Sequence, residues 1–295
     1  MRVVTGPPES WGLEARPRAL TVGIFDGLHD GHRHVIAVLR DAAERSGLET
    51  ALVTFDPHPL ALVAPGHAPR LLTGMAHRLE LVAEAGLELA AVVPFDDRMR
   101  RSTAAAFAGG VLSSALHARL VVVGEDFRFG HQRTGNVASL AELGDAHGFA
   151  TEVVPLVGGQ APVSSTRIRA LVAAGDLGAV ADALGRHHEV RGAAFGPPGE
   201  RSGRPAVGVA VPSELALPPA GAYAVRVGPV GRPLARGVAY LEHAGEVLRV
   251  LLLEPPVGAP DEVYRVVLVA RLGEATGDRE DRAAADLAAA REALG

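Results

Sequence analysis

The chain has 295 residues, 48% of them apolar, and a formal net charge of −5. This length exceeds one typical domain and fits two, and the apolar content is ample for folded cores. The negative charge argues against a nucleic-acid partner, and the absence of cysteine excludes disulfides, a cysteine nucleophile and a cysteine zinc cluster.

All 29 basic residues are arginine, so no lysine is present to act as a phosphate ligand or general base. No apolar stretch approaches the roughly 20 residues of a membrane span. Residues 2–18 are polar and contain proline, without the apolar centre of a signal peptide. We therefore expect a cytoplasmic protein with no membrane partner. Its oligomeric state stays open.

The first 185 residues alternate apolar strand-like runs with helical patterns, which predicts a Rossmann-like, doubly wound parallel α/β sheet. A helix is predicted over His32–Ser46 and ends at Gly47. Ligands of such sheets bind at the carboxyl ends of the strands. The predicted strands are Ala19–Phe25, Thr50–Phe55, Ala90–Pro94, Leu120–Gly124 and Ala150–Val154, and two short helices follow over Ile168–Ala174 and Leu177–Leu184.

Beyond about residue 185 the pattern changes. Between Arg191 and Arg271, glycine and proline punctuate apolar runs that have no helical period, which predicts a small β-barrel. An alanine-rich helix over Asp281–Leu294 is expected to pack on it. We therefore divide the chain into domains of residues 1–185 and 186–295. The barrel runs are Ala222–Val227, Gly237–Leu241, Val247–Leu253 and Val263–Ala270.

The most informative segment is residues 21–32, TVGIFDGLHDGH, at the end of the first predicted strand. A helix beginning near Gly31 would point free N–H groups and a positive dipole end at the preceding turn. His29 and His32 add donors there, which suits a polyphosphate. Standing alone, the four-residue histidine pattern would more often mark two surface histidines. The turn adds candidate nucleotide-binding residues, namely Gly23, Phe25, Asp26 and Gly27.

A second anion site is predicted in residues 163–169, VSSTRIR, where a hydroxyl-rich helix start precedes two arginines. Ser164, Ser165 and Thr166 are candidate nucleotide ligands, and Arg169 is a candidate catalytic residue beside the histidines. Two helix starts that bind phosphate are what nucleotidyl transfer needs. One holds the attacked phosphorus and the other the departing pyrophosphate.

Two further loops follow predicted strands. Residues 54–59, TFDPHP, contain two prolines that fix the backbone, which fits a ligand-lining loop and a rigid connector equally. Residues 124–130, GEDFRFG, combine carboxylates, an arginine and two aromatic rings, as expected of a platform for a planar ring and a phosphate. Candidate ligand-lining residues of these two loops are Phe55, Pro57, His58, Phe127, Arg128 and Phe129.

In this order, the four segments resemble the prokaryotic bifunctional riboflavin kinase/FAD synthetase family, over nearly the whole chain. The resemblance implies an FMN adenylyltransferase of the HxGH nucleotidylyltransferase superfamily, followed by a β-barrel riboflavin kinase. It implies that His29 and His32 bind ATP phosphates and that Asp126 lies in the nucleotide-binding loop. Asn136 stands where the family pattern carries aspartate.

The second domain departs from the family pattern. The resemblance implies a kinase signature, GFPTAN, ahead of a segment LPADGVY. Here LPPAGAY at residues 217–223 sets the register, which places residues 203–208 at the signature. The threonine and asparagine that hold the magnesium nucleotide become Ala206 and Gly208, which carry no side-chain oxygen for Mg²⁺. If Leu252-Leu253-Glu254 matches the family's Leu-Leu-Asp segment, the position of the catalytic glutamate holds Arg249, with Glu246 as the nearby alternative. We expect a barrel of retained shape without kinase activity.

The sequence therefore predicts a FAD synthetase that uses ATP, FMN and Mg²⁺, with no protein metal site and with small-molecule nucleotides and flavin as its partners. One alternative is a repurposed nucleotidylyltransferase that acts on another phosphorylated small molecule. Another is a flavin-nucleotide binding protein without turnover.

Overall fold

The structure, a computed structural model, describes residues 1–155, 163–201, 204–242, 247–254, 262–274 and 279–295. Contacts divide the chain into two compact units. The first comprises Met1–Pro69 and Met75–Val163, and the second comprises Arg70–Gly74 and Ser164–Gly295.

The first unit is a parallel six-stranded sheet in the order β1-β4-β3-β2-β5-β6. Its strands are β1 (Arg2–Thr5), β2 (Arg18–Val22), β3 (Glu49–Asp56), β4 (Leu89–Pro94), β5 (Ala118–Gly124) and β6 (Ala150–Val154). Its helices are α1 (Asp30–Ser46), α2 (Pro59–Val63), α3 (Met75–Glu84), α4 (Asp97–Arg100), α5 (Ala104–Phe107), which continues into a π-helical segment (Ala108–Ala115), and α6 (Val137–His147).

Both faces of this sheet are buried at its central strands. Leu20 of β2 packs in one apolar cluster together with Val53 of β3. The neighbouring Ala19 and Leu52 pack on the other face, against Leu39 of α1. Burial on both faces is what a doubly wound sheet requires, and it explains why its strands read as continuous apolar runs. The predicted fold class of this half is confirmed.

Two strand boundaries differ from the prediction. β2 ends at Val22 rather than Phe25, because Phe25 has a left-handed backbone with φ of 53° that leaves the sheet. β1 was not predicted. It is a four-residue edge strand, mostly exposed, that pairs only with β4, so its sequence shows no buried alternation.

The second unit contains a closed antiparallel barrel in the order β10-β11-β8-β7-β12-β9, which confirms the predicted barrel. Its helices are α7 (Ser165–Ala174), α8 (Leu177–Leu184) and α9 (Arg279–Leu294). Its strands are β7 (His188–Arg201), β8 (Arg204–Ala210), β9 (Gly221–Pro229), β10 (Ala235–Leu241), β11 (Val247–Leu252) and β12 (Val263–Gly273).

Helices cover parts of this barrel. Leu287 and Leu294 of α9 pack with Ala224 and Val238 of the barrel wall. Leu177 of α8 belongs to the apolar cluster that fills the barrel. Contacts therefore group α7 and α8 with the barrel. The boundary between two functional domains at residue 185 remains a proposal. Among the described residues, no helix has both the length and the apolar character needed to cross a membrane.

Candidate active site

The candidate site of the first unit lies at the carboxyl ends of three neighbouring strands. β2 is the centre of this group, with β3 on one side and β5 on the other. The loops that follow β2 and β3 contact each other, since the Gly23 N–H donates to the Val53 carbonyl at 3.0 Å and Thr54 Oγ1 donates to the Ile24 carbonyl at 3.4 Å. The chain runs from β2 to β3 and β4 on one side and returns as β5 on the other. Such a switch point is where open α/β sheets bind ligands.

The turn after β2 has an unusual backbone. Phe25, Gly27 and Leu28 have φ angles of 53°, 81° and 41°. Phe25 and Leu28 are also buried, and each left-handed residue other than glycine costs on the order of 1–3 kcal/mol. The Leu28 N–H donates to the Phe25 carbonyl at 3.2 Å, which closes the turn. Strained turns of this kind concentrate at functional sites because the surrounding structure must hold them in place.

The two histidines lie together at the start of α1. His29 is the residue that precedes the helix, and its ring stacks on that of His32 with centroids 3.7 Å apart. The Phe25 ring also stacks on His32, with centroids 4.7 Å apart. Gly31 allows a close approach to this stack, because a Cβ atom at that position would lie only 3.2 Å from the His29 ring. The structure thus brings Phe25, His29 and His32 into one aromatic stack at a helix N-terminus.

Burial of His32 alters its acid–base behaviour. Although the residue as a whole is half-buried, its Nδ1 is buried and has no hydrogen-bond partner within the described residues. Desolvation lowers the pKa of His32 well below the usual value near 6.5, and electrostatic interactions with His29, Arg78 and Arg33 lower it further. His32 is therefore neutral at pH 7 and can donate one hydrogen bond to an anion from its protonated ring nitrogen.

Asp26 is buried rather than exposed at the surface. Its side chain is 2% exposed, and its Oδ1 lies 3.7 Å from Nη2 of Arg78, which is equally buried on α3. The sequence prediction of Asp26 as a nucleotide ligand remains a proposal. The structure shows in addition that this carboxylate has a buried arginine partner.

The end of β3 and the loop that follows it contain aromatic and capping contacts. The Phe55 ring contacts the rings of Phe95 at 5.7 Å and Phe107 at 6.1 Å. His58 Nδ1 accepts a hydrogen bond from the Leu60 N–H at 3.1 Å and so caps α2, while Pro57 is exposed. His58 therefore has a local structural role beside its predicted role in the acceptor cleft.

The loop after β5 continues the same aromatic cluster. The Phe127 and Phe129 rings stack at 5.3 Å, and Phe129 contacts Phe107 at 6.0 Å. Phe129 is buried and belongs to the core, whereas Arg128 and Asp126 are exposed. The cluster unites candidates from two loops that sequence analysis treated separately. It also includes two rings that were not predicted, those of Phe95 and Phe107.

The position of Asn136 has a structural explanation. Its Oδ1 accepts from the Ser139 N–H at 2.9 Å, while Ser139 Oγ accepts from the Asn136 N–H at 2.8 Å. This is a capping box at the start of α6. Asparagine and aspartate are equally good N-caps, so either residue serves that role at this position.

The second predicted anion site starts α7, in the second unit. Ser164 Oγ accepts from the Arg167 N–H at 3.3 Å, so Ser164 is the N-cap. Ser165 and Thr166 occupy the first turn, and Arg169 is half-buried one turn further. The predicted hydroxyl-rich helix start is present, and its phosphate-binding role remains a proposal.

Comparison with known proteins gives the family. The family model described as FAD synthetase matches residues 13–167. The chain belongs to the FAD synthetase family. That membership makes it a relative of nucleotidyltransferases, and the matched range includes both histidines and most of the 163–169 segment.

Individual relatives support this assignment. A bifunctional riboflavin kinase/FMN adenylyltransferase of Escherichia coli K12 is 33% identical over 75% of this chain and 71% of its own length. The protein of that name from Listeria monocytogenes is 30% identical over 71% of this chain and 67% of its own. A crystal structure from Streptococcus pneumoniae, described as a macrolide-efflux protein, shares the fold. Its TM-score is 0.83 at 23% identity, and the match covers 98% of this chain and 99% of that one.

Two of the barrel positions at which the sequence analysis predicts a loss of kinase residues are paired directly. Gly208 of β8 is paired with Phe195 of β7 on one side and with Arg249 of β11 on the other. A Cβ atom at Gly208 would lie 2.5 Å from the Phe195 ring. Arg249 forms an ion pair with Glu242 at 3.5 Å. Gly203 and Glu246 lie outside the described residues.

Proposed function

We propose that the chain is a FAD synthetase, which transfers AMP from ATP to FMN and releases pyrophosphate. The observation that carries this proposal is the stack of Phe25, His29 and His32 at the start of α1, at the switch point of the sheet. Family membership supports the same reaction, because the bacterial relatives are described as FMN adenylyltransferases. A helix start with two imidazoles supplies the hydrogen-bond donors that a triphosphate needs.

In the proposed reaction, an oxygen of the FMN phosphate attacks the α-phosphorus of ATP. The bond between that phosphorus and the α,β-bridging oxygen breaks, and pyrophosphate leaves with the electron pair. A phosphate monoester is already a nucleophile near neutral pH, so no general base is required. Catalysis then depends on positioning and on neutralising charge at the leaving group.

His29 and His32 are the proposed catalytic donors to the phosphates. Because His32 stays neutral, it acts as a hydrogen-bond donor of fixed orientation rather than as a cation. Arg169 is proposed to bind the departing pyrophosphate through its planar guanidinium. The proposed nucleotide ligands are Gly23, Phe25, Asp26, Gly27, Asp126, Ser164, Ser165 and Thr166.

The acceptor cleft is proposed to be formed by the loops after β3 and β5. Their aromatic cluster offers ring faces and edges of the kind that hold a planar heterocycle, and Arg128 is exposed beside it. The proposed cleft residues are Phe55, Pro57, His58, Phe127, Arg128 and Phe129.

Mg²⁺ is proposed to arrive with the nucleotide, whose phosphate oxygens are ligands that this ion prefers. The described residues hold no group of three or more histidine, aspartate or glutamate side chains arranged for a metal ion, so we assign no protein ligands to it. We place the activity in the cytoplasm, with small-molecule partners only.

We further propose that the barrel has lost riboflavin kinase activity. Ala206 and Gly208 offer no side-chain oxygen to a magnesium nucleotide. The Phe195 ring occupies the space where a side chain at position 208 would begin, and Arg249 lies directly across from Gly208. The positive Arg249 is paired with Glu242 and cannot act as the carboxylate base that the riboflavin hydroxyl requires.

A panel of pyrophosphate-release assays tests the proposed function. ATP and CTP are each combined with FMN, riboflavin and other phosphorylated acceptors, with Mg²⁺ present. Release only with ATP and FMN is expected. Release with a different phosphorylated acceptor would favour the repurposed enzyme. Equilibrium binding of flavin nucleotides without release in any combination would favour a binding protein.

A further inference from the structure

The ion pair of Asp26 and Arg78 differs from the exposed ion pairs of this unit because both side chains are almost fully buried. Arg78 comes from α3, which contributes no residue to the predicted site. A charge buried to this degree is stable only with an opposite charge or several hydrogen bonds beside it. The position of Arg78 therefore constrains the position of Asp26.

Asp26 in turn lies within the strained turn that precedes the histidines. It follows Phe25 and precedes Gly27 and Leu28, all three of which have positive φ. A backbone of this kind persists only when surrounding contacts fix it. The buried carboxylate is the charged group of that turn, and the Phe25 ring beside it stacks directly on His32.

We propose that Arg78 is a positioning residue for the His29–His32 pair, which it holds in place through Asp26 and the left-handed turn. This rests on the proposed function, since the pair is taken to bind the phosphates of ATP. Without Arg78 the turn is no longer constrained, and the Phe25 ring tilts. The imidazoles of His29 and His32 are then no longer held in a single orientation toward the phosphates. A misplacement of this size at a reacting centre reduces turnover more than it reduces binding.

Arg78 also acts on His32 through its charge. The groups that face His32 are His29 and Arg33 from the region of α1 and Arg78 from α3, and each disfavours a proton on the ring. Asp26 is the acidic group paired with Arg78. Removal of the Arg78 charge therefore raises the pKa of His32, an effect that a purely structural contact would not produce.

The test compares Arg78→Gln, Arg78→Lys and the double variant D26N/R78Q with the wild type. Arg16→Gln is the matched control, because Arg16 is an exposed arginine near Glu49 at the opposite, amino-terminal edge of the sheet. The readouts are kcat and KM for ATP in FAD formation, and the histidine ring signals followed by NMR as a function of pH. His32→Gln identifies the His32 signal.

We expect Arg78→Gln to lower kcat about 10-fold or more, with a smaller change in KM, and to shift the His32 titration to higher pH. Arg78→Lys restores the charge, so it should return the low His32 pKa and recover more turnover than Arg78→Gln. Arg16→Gln should match the wild type in both readouts.

If Arg78→Gln does not fold, the double variant is used in its place, because the double variant leaves no unpaired buried charge. A folded Arg78→Gln or double variant with wild-type kcat and an unshifted His32 titration would overturn the proposal. If the wild type forms no FAD, the proposed function fails. The NMR titration still reports whether Arg78 controls His32.

Discussion

At the scale of single residues, His29 and His32 supply the donors on which the proposed chemistry depends. Replacement of either by alanine should lower the rate of adenylyl transfer about 100-fold or more, roughly 3 kcal/mol of transition-state stabilisation, as for other preorganised donors. The fold should survive, since the residues lie at a helix start. Steady-state FAD formation measures the effect, and His34→Ala, an exposed position of α1, is the control. Near-wild-type turnover in both variants would remove the histidines from the mechanism.

The lowered pKa of His32 makes the stability of the fold depend on pH. The unfolded chain binds a proton at this ring near pH 6.5, whereas the folded chain does so only at lower pH. Between those values the unfolded state binds more protons, so the free energy of unfolding rises with pH. The contribution is complete above about pH 6.5 and is lost as the pH falls toward the folded-state pKa.

Urea unfolding between about pH 7.5 and pH 5 measures this dependence. His32→Gln should show a shallower decline in the free energy of unfolding than the wild type, because it lacks the ring whose folded-state pKa is lowered. Identical slopes for the two proteins would show that His32 titrates normally in the folded state.

Substitution of Arg169 tests whether the start of α7 binds phosphate through the planar shape of a guanidinium. Arg169→Lys should impair adenylyl transfer, since a lysine ammonium is a point charge and cannot donate as a planar fork to phosphate oxygens. The comparison is of kcat/KM for the wild type, Arg169→Lys and Arg169→Ala. Full activity with lysine would mean that Arg169 contributes charge alone or lies outside the reaction.

Sequence could predict some of these residues and not others. The histidines stood out because their spacing followed a strand and a turn. Arg78 did not, because a single arginine within an ordinary helix gives no sign that its partner lies in a distant turn. Phe95 and Phe107 also escaped, although the chain has only eight phenylalanines and five of them, at 55, 95, 107, 127 and 129, form one contact cluster. The small number of phenylalanines in the chain was the signal that could have pointed to this cluster.

At the scale of elements, the first turn of α1 is shaped by the contact between Gly31 and the His29 ring. Gly31→Ala places a methyl group about 3.2 Å from that ring, which is already stacked on His32. Alanine favours the helix by up to about 1 kcal/mol, so stability should hold or rise while turnover falls. Urea unfolding and steady-state kinetics on the same samples separate the two effects.

Gly110→Ala serves as the control, because it also lies in a helical segment and its Cβ atom would enter open space. That variant should keep wild-type turnover. Equal turnover in Gly31→Ala would show that the His29 ring can shift without consequence for the reaction.

Secondary structure was predictable where burial imposed a period. The strands β3, β4 and β5 lie close to their predicted bounds because both faces of the sheet are buried there. The predicted end of β2 was wrong. The strand is interrupted at Phe25, which is neither a proline nor a glycine, and tertiary contacts fix the backbone of the turn there. The pairing order of the barrel was beyond sequence reasoning, because its Gly/Pro-punctuated runs identify strands without identifying neighbours.

At the scale of the whole molecule, the barrel has a filled apolar core, and we propose that it has nevertheless lost its kinase activity. Val225, Val250 and Val266 remain buried inside it. On the proposal of a lost kinase activity, the buried apolar residues maintain the barrel, whereas Ala206, Gly208 and Arg249 supply neither oxygen ligands nor a base for phosphorylation.

The most direct measurement of the central claim follows the flavin products of the full-length protein with ATP and Mg²⁺, separated by chromatography. With FMN as acceptor, the account predicts FAD and an equal amount of pyrophosphate. With riboflavin as acceptor, it predicts neither FMN nor FAD. Phosphorylation of riboflavin would contradict the proposed register at residues 203–208 and the loss of kinase activity. Absence of FAD from FMN and ATP would contradict the proposed adenylyl transfer.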